Sequence, residues 1–112
     1  MNAMNNSYEE CIRACVECAA ECDSCAAACL RETDVQMMSL CIELDLECSA
    51  ICKTAALSMN LQSQHANRVC ELCADICNAC AEECEKHDHD HCRKCAEACR
   101  SCAELCASMA AA

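Results

Sequence analysis

The sequence predicts an all-α protein, an antiparallel up-down-up-down four-helix bundle with cysteines lining its core. Neither Gly nor Pro occurs among the 112 residues, and β-branched and aromatic residues are few, which favours helix throughout. The 19 cysteines recur mostly at steps of three and four residues, the spacing of one face of an amphipathic helix. Three polar segments interrupt this pattern and divide the chain into four helices.

The first predicted helix spans about 7–31. Ser7 and Glu10 have the spacing of a capping box, which favours a helix start near Ser7. Beyond it, cysteines follow one another at steps of four, three, four, three and four residues. Sulfur therefore takes the inner positions that Leu, Ile and Val normally fill. These cysteines are Cys11, Cys15, Cys18, Cys22, Cys25 and Cys29.

The second predicted helix spans about 34–59, with Thr33 and Asp34 as its candidate caps. Its inner face is expected to carry Met38, Cys41, Asp45, Cys48, Cys52, Ala55 and Met59. Only three of these residues are cysteines, and Asp45 stands where the spacing of the other helices would place another thiol. The helix also has more apolar residues outside this face than one neighbouring helix can cover, so self-association is predicted. Those residues are Leu40, Ile42, Leu44, Leu46 and Ile51.

The third predicted helix spans about 63–86, and Asn60 or Ser63 can cap its start. His87 comes three residues after Cys84 and so keeps an inner position. The cysteines of this helix are Cys70, Cys73, Cys77, Cys80 and Cys84.

The fourth predicted helix spans about 90–109, and Asp90 can cap it. His91 precedes Cys95 by four residues, which places it on the inner face. The cysteines of this helix are Cys92, Cys95, Cys99, Cys102 and Cys106.

Short connections place consecutive helices antiparallel, which sorts the other potential ligands to two ends of the bundle. One end is expected to carry Met38, His87 and His91, with His89 nearby and Asp88 and Asp90 beside them. The other end is expected to carry Met4, Met59, Met109 and His65. Met38, His87 and His91 are therefore candidate metal ligands next to the thiols.

Charge and composition exclude several classes of function. A net charge of −11 and a pI near 4.6 argue against nucleic acid, since phosphate binding needs clustered Lys and Arg. No apolar run approaches the roughly 18 residues of a membrane span, and the amino terminus does not resemble a signal peptide. A single cytosolic domain over 1–112 is predicted. Thiols stay reduced in the cytosol, which favours metal or redox chemistry.

Uses of cysteine other than metal binding fit the pattern poorly. Purely structural thiols would not exclude Leu, Ile, Val and Met from three runs of inner positions. Disulfides suit neither the nearly parallel Cβ vectors of one helix face nor an odd number of cysteines. A thioredoxin-type dithiol normally lies in a βαβ unit, whereas the C-x-x-C spacings here look like helical periodicity.

Dense thiolate sites suit Cu(I), Zn(II) or iron–sulfur clusters. Iron–sulfur clusters usually take their cysteines from loops, and these helical runs leave no break in which such a cluster could form. A Zn(II) ion with four thiolates carries two net negative charges, which are costly to stack in a narrow core. Each Cu(I) replaces one proton, so the core stays neutral as multiple ions bind per chain. Cu(I) binding is therefore predicted; the alternatives are a zinc or cadmium thiolate protein and a dithiol redox module.

Asp45 has two interpretations beside such thiols. It is either a structural residue that reaches a Lys or water, or a weak copper ligand or proton acceptor for thiols that take up metal. The second interpretation is preferred, and Asp45 is a candidate site residue.

The three cysteine runs, the small size and the absence of Gly and Pro resemble the bacterial copper storage proteins. The lack of an export signal resembles their cytosolic branch, and the resemblance covers nearly the whole chain. It implies homo-oligomeric bundles that store copper in the cytosol without catalysis, with the cysteines as Cu(I) ligands. A copper chaperone that donates or accepts the ion is the partner this role implies. Asp45 departs most from the pattern of thiols.

Overall fold

The computed structural model describes the backbone of residues 3–112 and the side chains from Tyr8 onward. It confirms the predicted class, with four helices: α1 (Ala3–Cys29), α2 (Ser39–Asn60), α3 (Ala66–Cys84) and α4 (Asp90–Ala111). Each helix packs against the next one in the chain, and α4 closes the ring against α1. The resulting bundle is narrow and long, at 50 × 19 × 18 Å.

The start of α1 differs from its predicted position. The helix begins at Ala3 rather than near 7 and ends at Cys29. The side chains of Met4 and Ser7 lie outside the described residues, and so does the Ser7–Glu10 capping box.

The start of α2 also differs, because a short 3-10 helix over Val35–Met38 precedes it. Asp34 makes no side-chain capping hydrogen bond there. Its carboxylate instead lies 3.8 Å from Nε2 of His89. The tighter turn brings Met38 into the core, where it is fully buried.

The other two helices match the pattern more closely. α3 begins at Ala66 rather than at 63, because Ser63 forms a turn in which its Oγ accepts a hydrogen bond from the backbone N–H of His65 at 3.0 Å. The helix ends at Cys84. α4 begins at Asp90, but Asp90 is not its cap as predicted: His89 takes the N-cap position, and Asp90 is an acid in the first turn. An acid there is favourable for the helix dipole.

The sulfur core is narrow because alanine follows many of the cysteines. The repeated unit Cys-x-x-Cys-Ala buries both cysteines and the alanine that follows them. An alanine side chain ends at Cβ, so neighbouring helices can approach closely. The buried alanines of this repeat are Ala19, Ala26, Ala74, Ala81, Ala96 and Ala103. Within the described part of the chain, no helix combines the length and apolarity that crossing a membrane requires.

Candidate metal centre

All 19 cysteines are free and buried. Each is fully buried except Cys25, which is 1% exposed. The helical seam therefore faces the interior along its whole length, as the spacing predicted. Disulfides, the alternative that the spacing disfavoured, are absent from the described residues, which include every cysteine.

Sulfur atoms from different helices meet at van der Waals distance. Sγ of Cys52 on α2 lies 3.7 Å from that of Cys73 and 3.7 Å from that of Cys77 on α3. It also lies 3.9 Å from Sγ of Cys102 on α4. Three helices thus contribute thiols to one point of the core.

These contacts run on along the axis of the bundle. Near the carboxyl end of α4, Sγ of Cys106 lies 3.7 Å from that of Cys11 and 3.6 Å from that of Cys15. Sγ of Cys15 in turn lies 3.6 Å from that of Cys102. A metal ion at one position is therefore within reach of thiols at the next.

The thiols form overlapping groups of four whose sulfur atoms all lie within 4.8 Å of one another. A tetrahedral site with metal–sulfur bonds of about 2.3 Å has sulfur atoms about 3.8 Å apart. The separations in the core are close to this value, so little movement is needed to bind a soft metal. Four of the groups are Cys15, Cys73, Cys102 and Cys106; Cys18, Cys48, Cys52 and Cys77; Cys22, Cys80, Cys95 and Cys99; and Cys25, Cys29, Cys41 and Cys92.

Asp45 is fully buried among thiols. Its Oδ1 accepts hydrogen bonds from Cys80 at 3.2 Å, Cys95 at 3.3 Å and Cys84 at 3.7 Å. Its Oδ2 accepts one from Cys41 at 3.9 Å. Burial, followed by the nearby charge of Cys95, raises the pKa of Asp45 to about 10, so the carboxyl group is neutral at pH 7.

His91 brings an imidazole to the thiols at one end of the core. Its Nδ1 lies 3.6 Å from Sγ of Cys25, 3.6 Å from that of Cys92 and 3.9 Å from that of Cys29. Its Nε2 donates a hydrogen bond of 2.8 Å to Oε2 of Glu32. We call the group of His91 and these three cysteines the mouth cluster.

Burial raises the pKa of two thiols of the mouth cluster. Desolvation is the largest cause for both, and it raises the pKa of Cys92 to about 12. The pKa of Cys29 is also raised. Both thiols keep their protons at neutral pH, so metal binding here has to release them.

His87 lies at the same end but in a different environment. Its Nε2 is 2.8 Å from Oε2 of Glu83, whose other oxygen lies 3.5 Å from Nζ of Lys86. No thiol is a hydrogen-bond partner of His87 within the described residues. The structure thus brings His91 to the thiols, while His87 is held by a nearly buried carboxylate.

Two acidic residues at this end were missed by the sequence reasoning. Glu32 lies in the α1–α2 connection and Glu83 in the last turn of α3. The topology could have predicted that Glu32 lies near the histidines, because an up-down bundle brings the α1–α2 and α3–α4 connections to one end. Asp88 and Asp90, which the sequence places beside these histidines, both pair with Arg93.

The opposite end is more apolar. Met59 is 1% exposed, and Met109 and Tyr8 pack against the core while partly buried. His65 is exposed. The place of Met4 lies outside the described side chains.

Four helices around a continuous core of free thiols, with imidazole at one end, define a thiol-rich metal-binding bundle. The family model for copper storage proteins matches residues 4–111, and the chain belongs to that family. It is 50% identical over 108 residues to the uncharacterized cysteine-rich protein YhjQ of Bacillus subtilis (strain 168). The match covers 96% of this chain and 100% of that protein.

Solved structures of the family are also similar. The Cu(I)-bound copper storage protein BsCsp3 of Bacillus subtilis is 50% identical, with a TM-score of 0.89 over 93% of this chain and 98% of that one. A cytosolic copper storage protein from Streptomyces lividans, studied during copper loading with five coppers, is 36% identical. It has a TM-score of 0.96 over 100% of this chain and 98% of that one.

Proposed function

We propose that this protein stores Cu(I) in the cytosol by binding multiple ions along the thiol core of one domain. The observation that carries the proposal is the run of buried free thiols, most of whose sulfur atoms lie 3.6 to 4.0 Å from a neighbouring sulfur. The Cu(I)-bound and copper-loaded relatives support the choice of metal. The cytosolic location rests on the relative from Streptomyces lividans, which is described as cytosolic.

Charge favours Cu(I) over Zn(II), although the four-sulfur groups are spaced suitably for both. Each Cu(I) that replaces a thiol proton leaves the net charge of the core unchanged. Each isolated Zn(II) with four thiolates adds two negative charges to a core without solvent. The overlap between groups also favours Cu(I), because shared sulfurs let the number of ions approach the number of thiols.

The ligands are the 19 cysteines, supplemented by side chains at two places. His91, and with it His87 and Met38, binds copper at the histidine end. Asp45 acts beside Cys80 and Cys95 as a weak ligand, or as a proton acceptor for thiols that bind metal. Either role requires the carboxyl group first to lose the proton that it holds at pH 7. No catalytic turnover is part of this role, since a storage protein holds and releases its ion unchanged.

Anaerobic titration of the reduced protein tests the function. We expect Cu(I) uptake close to the 19 thiols of the chain, counted by competition with a chromophoric chelator. Parallel titration with Zn(II) is the comparison. A few tightly bound zinc ions with little copper uptake would favour a zinc or cadmium thiolate protein, and formation of one reactive disulfide would favour a dithiol redox module.

Copper uptake is proposed to occur at the histidine end. Imidazole and thioether bind Cu(I) without first losing a proton at neutral pH, and Glu32 and Glu83 supply negative charge there. The storage role also implies a protein partner, a copper chaperone that delivers or accepts the ion. We further propose that the bundle forms a homo-oligomer.

A variant in which both His87 and His91 are replaced by Ala tests this route. We expect slower Cu(I) loading from a chelator with nearly unchanged final capacity, because the deeper thiols are untouched. Replacement of Met4, Met59 and Met109 is the matched control at the other end. Slower loading in the methionine variant alone would place uptake there instead.

A further inference from the structure

We propose that Glu32 is a positioning residue for copper uptake, which holds His91 with Nε2 protonated and Nδ1 free to bind metal. This inference rests on the proposed function, since it concerns the side chain that meets copper at the mouth cluster. Glu32 itself is not proposed to contact the ion.

The hydrogen bond between Glu32 and His91 determines which nitrogen carries the proton. A carboxylate oxygen accepts and cannot donate, so the 2.8 Å contact requires a hydrogen on Nε2. A neutral imidazole has only one N–H group, which leaves a lone pair on Nδ1. That atom faces the sulfurs of Cys25, Cys92 and Cys29 at 3.6, 3.6 and 3.9 Å.

Metals bind an imidazole through its unprotonated nitrogen, and the opposite N–H group usually donates to an oxygen that fixes the ring. The Glu32–His91–thiol arrangement has this form before any metal is bound. The carboxylate reaches the ring from a distant part of the chain, 59 residues away. The α1–α2 connection thus sets the orientation of a side chain on α4.

His89 supports the same arrangement from the side. Its ring stacks on that of His91 with centroids 5.1 Å apart and planes 8° from parallel. Its Nδ1 lies 3.3 Å from the same Oε2 of Glu32. The carboxylate therefore has two imidazole partners, and the His91 ring is restrained on its edge and on its face.

His87 provides an internal comparison. It also pairs with a carboxylate, but that carboxylate belongs to Glu83, only four residues earlier in the sequence. Within the described residues, that ring makes no hydrogen bond to a thiol. A histidine–glutamate pair alone is therefore not the distinguishing feature; only the Glu32 pair directs a ring nitrogen at the sulfur core.

Nitrogen-15 NMR of the reduced, metal-free protein tests the positioning directly. The chemical shifts of the two ring nitrogens of His91 distinguish Nε2–H from Nδ1–H. We expect the Nε2–H form in the wild type, a mixture of both forms in Glu32→Ala, and recovery in Glu32→Gln, whose carbonyl oxygen can still accept. Predominant Nδ1–H in the wild type, or no change in Glu32→Ala, would overturn the proposal.

Stopped-flow loading from a Cu(I) chelator tests the consequence. Loss of a residue that orients a metal ligand typically costs about 10-fold or more in metal affinity or activity, so we expect about 10-fold slower loading in Glu32→Ala with unchanged capacity. In a His91→Ala background the same change should have little further effect, because Glu32 acts through His91.

Asp34→Asn is the charge-matched control, since it removes one negative charge from the same connection, and the Asp34 carboxylate lies 3.8 Å from Nε2 of His89. An equal slowing by Asp34→Asn, or a full further slowing by Glu32→Ala without His91, would show that Glu32 acts only through its charge. The two proposals can fail separately. Low copper capacity would refute the storage function, whereas normal capacity with the wrong tautomer would refute only the role of Glu32.

Discussion

A single buried carboxyl group makes the stability of the metal-free bundle depend on pH. Asp45 has no exposed surface, and its pKa rises from an ordinary value of 3.8 to about 10 in the folded protein. Between these values Asp45 holds its proton in the folded chain and has lost it in the unfolded chain. The contribution of Asp45 to stability is therefore fully present below pH 3.8 and is lost as the pH rises towards 10.

We predict that Asp45→Asn removes this pH dependence. Amide and protonated carboxyl groups have similar shapes, but the amide has no proton to lose. The free energy of unfolding of the wild type should fall by up to about 1.4 kcal/mol per pH unit between about pH 5 and pH 7.5, below the range where unfolded thiols ionise. Denaturant unfolding of both proteins, reduced and chelated, measures the two slopes.

Asp75→Asn is the matched control for that comparison, because it makes the same chemical change at an exposed position of α3. It should keep the slope of the wild type. An Asp45→Asn protein with the same slope as the wild type would show that this carboxyl group is ionised in the folded state.

The individual residues differ in how far the sequence could predict them. The inner position of Asp45 followed from its spacing to Cys41 and Cys48, because helical periodicity fixes a direction for every residue of a helix. Glu32 lies in a connection, where no period fixes direction. Its pairing with His91 depends on how two loops meet, and periodicity carries no information about that.

At the scale of single helices, α2 differs from the others in its outer surface. Leu46 and Leu57 are 55% and 58% exposed, and helical periodicity places them on one strip pointing away from the core, with the exposed Lys53 between them. Apolar side chains in such a strip favour contact with a second copy of the chain. The proposed homo-oligomer would bury this strip.

We predict that Leu46→Glu combined with Leu57→Glu weakens self-association while leaving the thiol core intact. Carboxylates in place of these two leucines would be costly to bury between two copies. Sedimentation velocity at several concentrations measures the assembly, and Cu(I) titration checks the core. Leu72→Glu, a change at a half-exposed leucine of α3, is the control; equal weakening by this variant would place the interface elsewhere.

The ends of the helices were harder to predict than their faces. The cysteine steps identified four helices and the inner positions of all the cysteines, because those residues obey one period. Asp34 shows why the starts were less certain, since a possible capping residue can find another partner, here His89. Ser63 likewise forms a turn before α3 instead of starting it.

At the scale of the whole molecule, the fold should not depend on metal. Helix propensity is high along the chain, and buried thiols still act as modest apolar groups. We predict that the reduced, chelated protein has a strongly helical far-ultraviolet circular dichroism spectrum. This would separate it from thiolate proteins that fold only around their ion.

Copper should then raise the melting temperature of a bundle that is already folded, because ligands that bind only the folded state stabilise it by mass action. Thermal unfolding with increasing Cu(I) measures this effect. A coil spectrum that becomes helical only with metal would contradict the prediction.

The burial of every cysteine also determines the order in which copper can leave. No cysteine of the bundle is more than 1% exposed, whereas His91 is partly exposed and its ring lies 3.6 Å from Cys25, so we expect ions to pass between solvent and core at this end. With passage at the histidine end, the last ions to arrive occupy the mouth cluster and are the first to depart. Ions bound near Cys11 and Cys106, at the other end of the core, leave only after the ions between them and the mouth cluster. One molecule would thus hold both a rapidly exchanged fraction and a slow reserve of the same metal.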